Sequence, residues 1–230
     1  MKTVGIIGGL GPETTAKFYL QLINSCYEVN KKSRPPVLIW SVPLNYEIEN
    51  DLIIHGQGEE KCLPYLKEAA KRLEEGGADF LVVPCNSVHI FIEEIRQAVK
   101  IPVLSIIEET AHFLKTNGIK KIGLLATIVT VNKRLYQKAL EETQIEVILP
   151  DERDQKVIGQ LISALVLNQY TTKEKEELNR IIDNLETKQA ENVVLACTDL
   201  QLLAPSHPKL KIYDSMEILL RATVHELIRE

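Results

Sequence analysis

The chain has 230 residues, enough for one large domain or two of roughly 100 residues each, and either size can bury a core without disulfide staples. A net charge of −5 and a pI near 5.7 argue against a dedicated binder of nucleic acid or of an anionic membrane surface. No apolar run approaches the roughly 20 residues that span a bilayer. The first residues, Lys2 and Thr3, lead directly into a strand rather than a signal peptide.

Strand-like runs alternate with longer helical patterns from the N-terminus onward. TVGII (Thr3 to Ile7) reads as a buried strand. GGLGP follows as a tight turn, and a helix runs from Pro12 to Val29 with the proline in its first turn. VLIWSV is the next strand. EEKCLPYLKEAAKRLEEGGA is a helix closed by Gly76 and Gly77. FLVV is a strand that delivers Cys85, and Val88 to Lys100 reads as a helix. After IPVLS, Ser105 and Glu108 form a capping box for another helix. KIGLLA is a strand, VNKRLYQKALEE a helix and IEVIL a strand. Helices follow near Glu152 to Leu167 and Thr172 to Lys188. NVVLA, the last clear strand, delivers Cys197, and Asp214 with Glu217 caps a terminal helix. Alternation of this kind predicts an α/β protein with parallel sheets covered on both faces.

The pattern occurs twice. Gly5 and Gly123 lie 118 residues apart in similar strand–turn–helix stretches, and Cys85 and Cys197 lie 112 apart, each at the end of an apolar strand. All βαβ units look somewhat alike, but the matching order favours two related open parallel-sheet halves related by a pseudo-twofold, with a cleft between them. The expected division is 1–101 plus 208–230 for the first domain and 102–207 for the second.

In open parallel sheets, ligands bind beyond the carboxyl ends of strands, where the first N–H groups of the next helix attract anions. Cys85 stands there beside Asn86 and Ser87, and Cys197 beside Thr198 and Asp199. A thiol in such a place can be lowered from about 8.5 toward neutrality. Cys26 and Cys62 fall inside helical patterns and read as core. The four cysteines show no framework spacing, which fits free thiols in a reducing cytoplasm. GGLGP is not the G-x-G-x-x-G dinucleotide fingerprint, and no acidic residue follows for a ribose. It reads instead as a turn that brings backbone N–H groups, Gly11 among them, to a small carboxylate. Cys85 and His89 share a helix face, and with Cys197 and His207 they could make a zinc set, although the spacing matches no recognised zinc pattern. The expected metal is none.

The motifs GIIGGLGPETT (Gly5 to Thr15), ADFLVVPCNSVH (Ala78 to His89), KIGLLATIVTVNKRLYQ (Lys121 to Gln137) and VVLACTDLQLL (Val193 to Leu203) resemble those of the aspartate/glutamate racemase family, which works without pyridoxal phosphate. They run in the family's order over nearly the whole chain. The resemblance implies a cofactor-independent amino-acid racemase, usually a homodimer, with one catalytic residue from each half at the positions of Cys85 and Cys197. It places Asn86, Ser87, Thr127 and Thr198 at substrate-binding positions. Relatives that act on aspartate carry an Arg in a P-D-R-T stretch, but here YEIENDLIIHG puts Asp51 in its place. They also carry a Lys upstream of the second cysteine, and here Leu167 stands there. The family default is aspartate or glutamate, whereas these residues favour a neutral or basic amino acid. Lys61, Lys156 and Lys173 are the nearby cations that could still serve an acidic substrate. A related two-cysteine isomerase or decarboxylase of a small carboxylic acid, or a non-catalytic small-molecule binding protein, are the alternatives.

Overall fold

The structure, a computed structural model, describes residues 1–51 and 56–229. Leu52 to His55, within the YEIENDLIIHG stretch, lie outside the described residues. The first half runs β1 (Val4–Gly8), α1 (Pro12–Asn30), β2 (Val37–Ser41), α2 (Tyr46–Asn50), α3 (Leu63–Glu75), β3 (Phe80–Val82), α4 (Ile92–Arg96), β4 (Val103–Leu104) and α5 (Ile106–Thr116). The second runs β5 (Lys121–Ala126), α6 (Ile128–Asn132), α7 (Leu135–Leu140), β6 (Glu146–Ile148), α8 (Glu152–Val166), α9 (Thr172–Thr187), β7 (Asn192–Ala196), β8 (Lys211–Asp214) and α10 (Ser215–Ile228).

The described strands form two four-stranded sheets, ordered β2-β1-β3-β4 and β6-β5-β7-β8, with every pairing parallel. The orders superpose strand for strand: β1 on β5, β2 on β6, β3 on β7, β4 on β8. The repeat expected from the sequence is therefore a repeat of topology. Gly5 and Gly123 show why it carries glycine. A Cβ on Gly5 would stand 2.5 Å from Leu81 Cδ2 and 3.1 Å from Leu73 Cβ, and one on Gly123 would stand 2.7 Å from Leu185 Cδ1. In both halves the missing side chain lets a helix (α3 or α9) lie close on the first strand.

Among the described residues this plan gives three apolar cores. The central one draws on both sheets and on α1, α5, α7 and α10, and buries Phe18 and Tyr136, the aromatics of the two matching helices. One outer core lies under α3 and α4, the other under α8 and α9. Because α5 and α10 pack on each other in the central core, the two halves share apolar burial.

The structure corrects several local expectations. Lys211–Asp214, not expected as a strand, pairs with β7, and Val103–Leu104 pairs with β3. The sheets thus run past the expected boundaries at 101 and 207. The helix expected over 88–100 is a 3-10 helix, Ser87–Phe91, with the single turn α4 after it. The helix expected over 131–142 breaks at Arg134, whose φ of 56° lies in the left-handed region. Ser105 caps α5 by accepting from Glu108 N–H, but the Glu108 carboxylate pairs with Arg96 instead of returning to the cap. Among the described residues, no helix is long and apolar enough to cross a membrane.

Candidate active site

Four turns leave the carboxyl ends of β1, β3, β5 and β7, and all four reach one cleft with about 480 Å³ of empty space, part of it open to solvent. Leu10 and Gly11 come from the first turn. Cys85, Asn86, Ser87 and Val88 come from the second, Thr127 from the third, and Cys197, Thr198 and Asp199 from the fourth. Leu44, Glu49, Ile162 and Val166 complete the wall. The two thiols, carried by equivalent strands of the two sheets, therefore line the same space.

Neither thiol is lowered, contrary to the expectation from helix N-termini. Withdrawal from water pushes Cys85 up to about 12, against the N–H groups of Val88 and Ser87, which act to lower it. Cys197 is raised well above the ordinary thiol range, first by burial and then by the charge of Asp199. The physical reason lies in the short helices that the two turns open into. These are 3-10 helices, Ser87–Phe91 and Leu200–Leu203, too short to build a macrodipole that offsets desolvation. Both thiols are thus protonated at neutral pH in the free protein. Iodoacetamide labelling of Cys85, read by mass spectrometry, should keep rising about tenfold per unit beyond about pH 9.5, where an unfolded thiol near 8.5 has levelled off. A plateau by pH 8 in the folded protein would contradict this picture.

Asp199 is a functional candidate that the sequence marks only as a neighbour of Cys197. It is buried, accepts a hydrogen bond from Thr14 Oγ1 of the first half, and accepts the Cys197 thiol at 3.9 Å. A Cβ on Gly11 would stand 3.0 Å from Asp199 Oδ1, so the glycine turn packs directly against this carboxylate. Burial pushes its carboxyl up, and Glu13 adds to the shift.

Polar side chains tie the halves together at the cleft. Tyr136 Oη donates to Asn86 Oδ1 at 2.7 Å, and Asn86 Nδ2 donates to Ser215 Oγ at 3.1 Å. Ser215 in turn donates to the Leu195 carbonyl at 2.8 Å. Ser87 and Thr127 share a hydroxyl–hydroxyl bond of 2.8 Å. Each is buried, so an unmade bond here would leave a desolvated group costing about 1–3 kcal/mol. Asn86, expected to bind substrate, has its carbonyl and one amide proton committed to the second half. Thr198 is buried in the cleft wall.

Residues 7–223 match the family model described as Asp/Glu/Hydantoin racemase. The chain belongs to the Asp/Glu/hydantoin racemase family. As such it is an enzyme of the isomerase class. It is 30% identical over 226 residues to the broad specificity amino-acid racemase RacX of Bacillus subtilis (strain 168), covering 96% of each chain. Among solved structures it is similar to a putative Asp/Glu racemase from Yersinia pestis (28% identity, TM-score 0.84, all of both chains). It is also similar to an aspartate racemase homologue from Pyrococcus horikoshii OT3 (28%, TM-score 0.79, all of both chains).

In this racemase the two positions expected to set specificity lie outside the cleft. Asp51 caps α2 at its C-terminal end, 3.9 Å from Lys61 Nζ, and is not among the lining residues. Leu167 is exposed and borders a separate hollow with Tyr46, Asn50 and Ser163. Glu49 and Val166 line both spaces. The Glu49 carboxyl is pushed up by burial, then by Asp199 and Glu13. Glu49, two residues before Asp51 on the single turn α2, is the α2 residue that lines the cleft. Among the described residues that line the cleft there is no Lys or Arg. Lys156 pairs with Glu152, and Lys173 lies in the first turn of α9.

The imidazoles of the zinc set are engaged elsewhere. His89 Nδ1 is 2.7 Å from the Cys85 carbonyl, and its Nε2 accepts from Ile106 N–H at 3.1 Å. His207 Nδ1 accepts from Lys209 and Leu210 N–H, while its Nε2 faces Asp183 and Glu186.

Proposed function

We propose that the protein is an amino-acid racemase that works without a cofactor, with Cys85 and Cys197 as its two acid/base groups and a neutral or basic amino acid as substrate. The observation that carries this reading is that two thiols from equivalent strands of two related sheets line one cleft. One thiol first releases its proton to solvent as the substrate's ammonium enters the cleft, and in each turnover the thiolate then takes the α-proton and becomes a thiol. The C–H electron pair stays on the α-carbon and spreads into the substrate carboxylate. The opposite thiol then gives its proton to the other face and becomes the thiolate, so the next turnover can run in reverse. Ser87, Thr127, Thr198 and the backbone at Gly11 are the groups we assign to the substrate carboxylate.

The raised thiols make the charge of the substrate part of the mechanism. An ammonium group entering beside Asp199 and Cys197 favours the ionised thiolate, whereas an added carboxylate disfavours it. We also propose a homodimer, through Leu20 and Tyr27 on the outer side of α1 and Ile39 of edge strand β2, all exposed. Ile39 lies on the same sheet face as α1, since it is in register with Ile6 of the central core. We keep two α/β domains as the working division, with its boundaries moved to match the sheets, and a cytoplasmic site in keeping with four free thiols.

The test is proton exchange. The protein, under reducing conditions in D₂O, is given each L- and D-amino acid, and deuterium at the α-carbon is read by NMR. Exchange with inversion is expected for neutral or basic amino acids. Silence with every amino acid would sink the racemase reading and favour a decarboxylase or a binding protein.

A further inference from the structure

We propose, resting on the two-thiol reading, that His89 and Gln201 are a matched pair of positioning residues, each strapping one cysteine turn to the helix after its sheet's last strand. The two occupy the same place in the repeat, four residues after Cys85 and Cys197 in CNSVH and CTDLQ. Both are buried. His89 grips the Cys85 carbonyl at 2.7 Å through Nδ1 and the Ile106 N–H at 3.1 Å through Nε2. Ile106 is the first residue of α5, so this N–H has no partner within the helix. Gln201 Nε2 donates to the Thr198 carbonyl at 2.8 Å and to Met216 Sδ at 2.9 Å, and Met216 lies in the first turn of α10. Since β4 corresponds to β8, α5 corresponds to α10, and the two straps are the same device built from different side chains.

The chemistry of each strap explains the choice of residue and excludes proton transfer. With Nδ1–H donating and Nε2 accepting, His89 is a fixed neutral tautomer with no free lone pair or proton for the Cys85 thiol. Protonation would set two N–H groups against each other at Ile106, and burial pushes the ring down to about 4. The His89 strap holds the cysteine's own carbonyl. The Gln201 strap holds the next carbonyl and ends on a thioether, a weak acceptor, so it is the looser of the two. In a two-face reaction, a displaced thiol fails on its own face only, and about 1 Å of displacement costs on the order of 100-fold in rate.

The experiment measures α-proton exchange of each enantiomer separately in D₂O. His89→Leu should lose exchange of one enantiomer by about 100-fold, and Gln201→Leu that of the opposite enantiomer by about tenfold, with KM changed little. His89→Gln, which installs in the first half the amide that the second half already uses, should restore most of the activity. Equal loss on both faces in either leucine variant would overturn the proposal as general loosening. No loss would overturn it too. A His89→Gln variant as inactive as His89→Leu would make His89 a proton-transfer group instead. If the leucine variants do not fold, imidazole NMR on the unmodified protein decides: the ring should stay the neutral Nδ1–H tautomer from pH 5 to 8, and a titration near 6.5 would refute the strap. Absence of exchange in the unmodified protein is a different result, and bears on the racemase reading alone.

Discussion

Replacing either cleft thiol should remove racemisation while leaving the fold intact. Cys85→Ala and Cys197→Ala are each expected to lower kcat for interconversion by at least about 100-fold, toward the 10⁴-fold upper range for a positioned acid or base. The reason is geometric: each half of the repeat supplies one thiol, and inversion needs both faces. A variant that keeps Cys197 still has a base on one face, so it should wash the α-proton of one enantiomer into solvent without inverting it. The variant that keeps Cys85 should do so for the other. Circular dichroism should show little change, because Cys85 borders the outer core of the first half and Cys197 that of the second, and each loses one sulfur. Near-normal interconversion by either variant would remove that thiol from the mechanism.

Much of the fold was legible in the sequence, for reasons that particular residues make plain. Buried strands such as VGIIG and NVVLA are short apolar runs, and parallel sheets covered on both faces require that pattern. The repeat was visible because the same packing problem, a helix lying close on the first strand, was solved by glycine at both Gly5 and Gly123. The strand β8 was not visible, since KIYD is polar at both ends and takes its place through pairing with β7 and tertiary packing of Ile212 and Tyr213. The candidate thiols were legible because the ends of parallel strands are where such sheets bind ligands. Their electrostatics were not. Whether a thiol is lowered by N–H groups or raised by burial depends on how tightly the cleft closes and on Asp199, a contact set by tertiary structure. The straps were half-legible: His89 and Gln201 stand at equal distances from the two cysteines, but nothing in the sequence says that α5 and α10 begin beside them.

Glu49 should decide which side chain the cleft accepts. An anionic side chain would enter a space walled by Glu49 and Asp199, with no Lys or Arg among its described lining residues, and unpaired buried charge costs several kcal/mol. A lysine, ornithine or arginine side chain leaving the cleft toward Leu167 would pass Glu49, which borders both spaces. Two unit charges about 4 Å apart in surroundings of effective dielectric near 20 attract by about 4 kcal/mol before desolvation is subtracted. A net preference of about 1–2 kcal/mol, roughly 5- to 30-fold in kcat/KM over a neutral side chain of similar size, is the expected remainder. Glu49→Gln should erase that preference and spare neutral substrates. Glu49→Lys should invert it and raise aspartate or glutamate from the bottom of the series. Asp51→Arg, by contrast, should do little, because Asp51 lies off the cleft in a loose surface pair with Lys61. The measurement is kcat/KM for lysine, arginine, alanine, aspartate and glutamate across the four proteins. If the unmodified enzyme works best on aspartate or glutamate, or if Asp51→Arg shifts the series more than Glu49→Lys, the charge of this cleft does not choose the substrate.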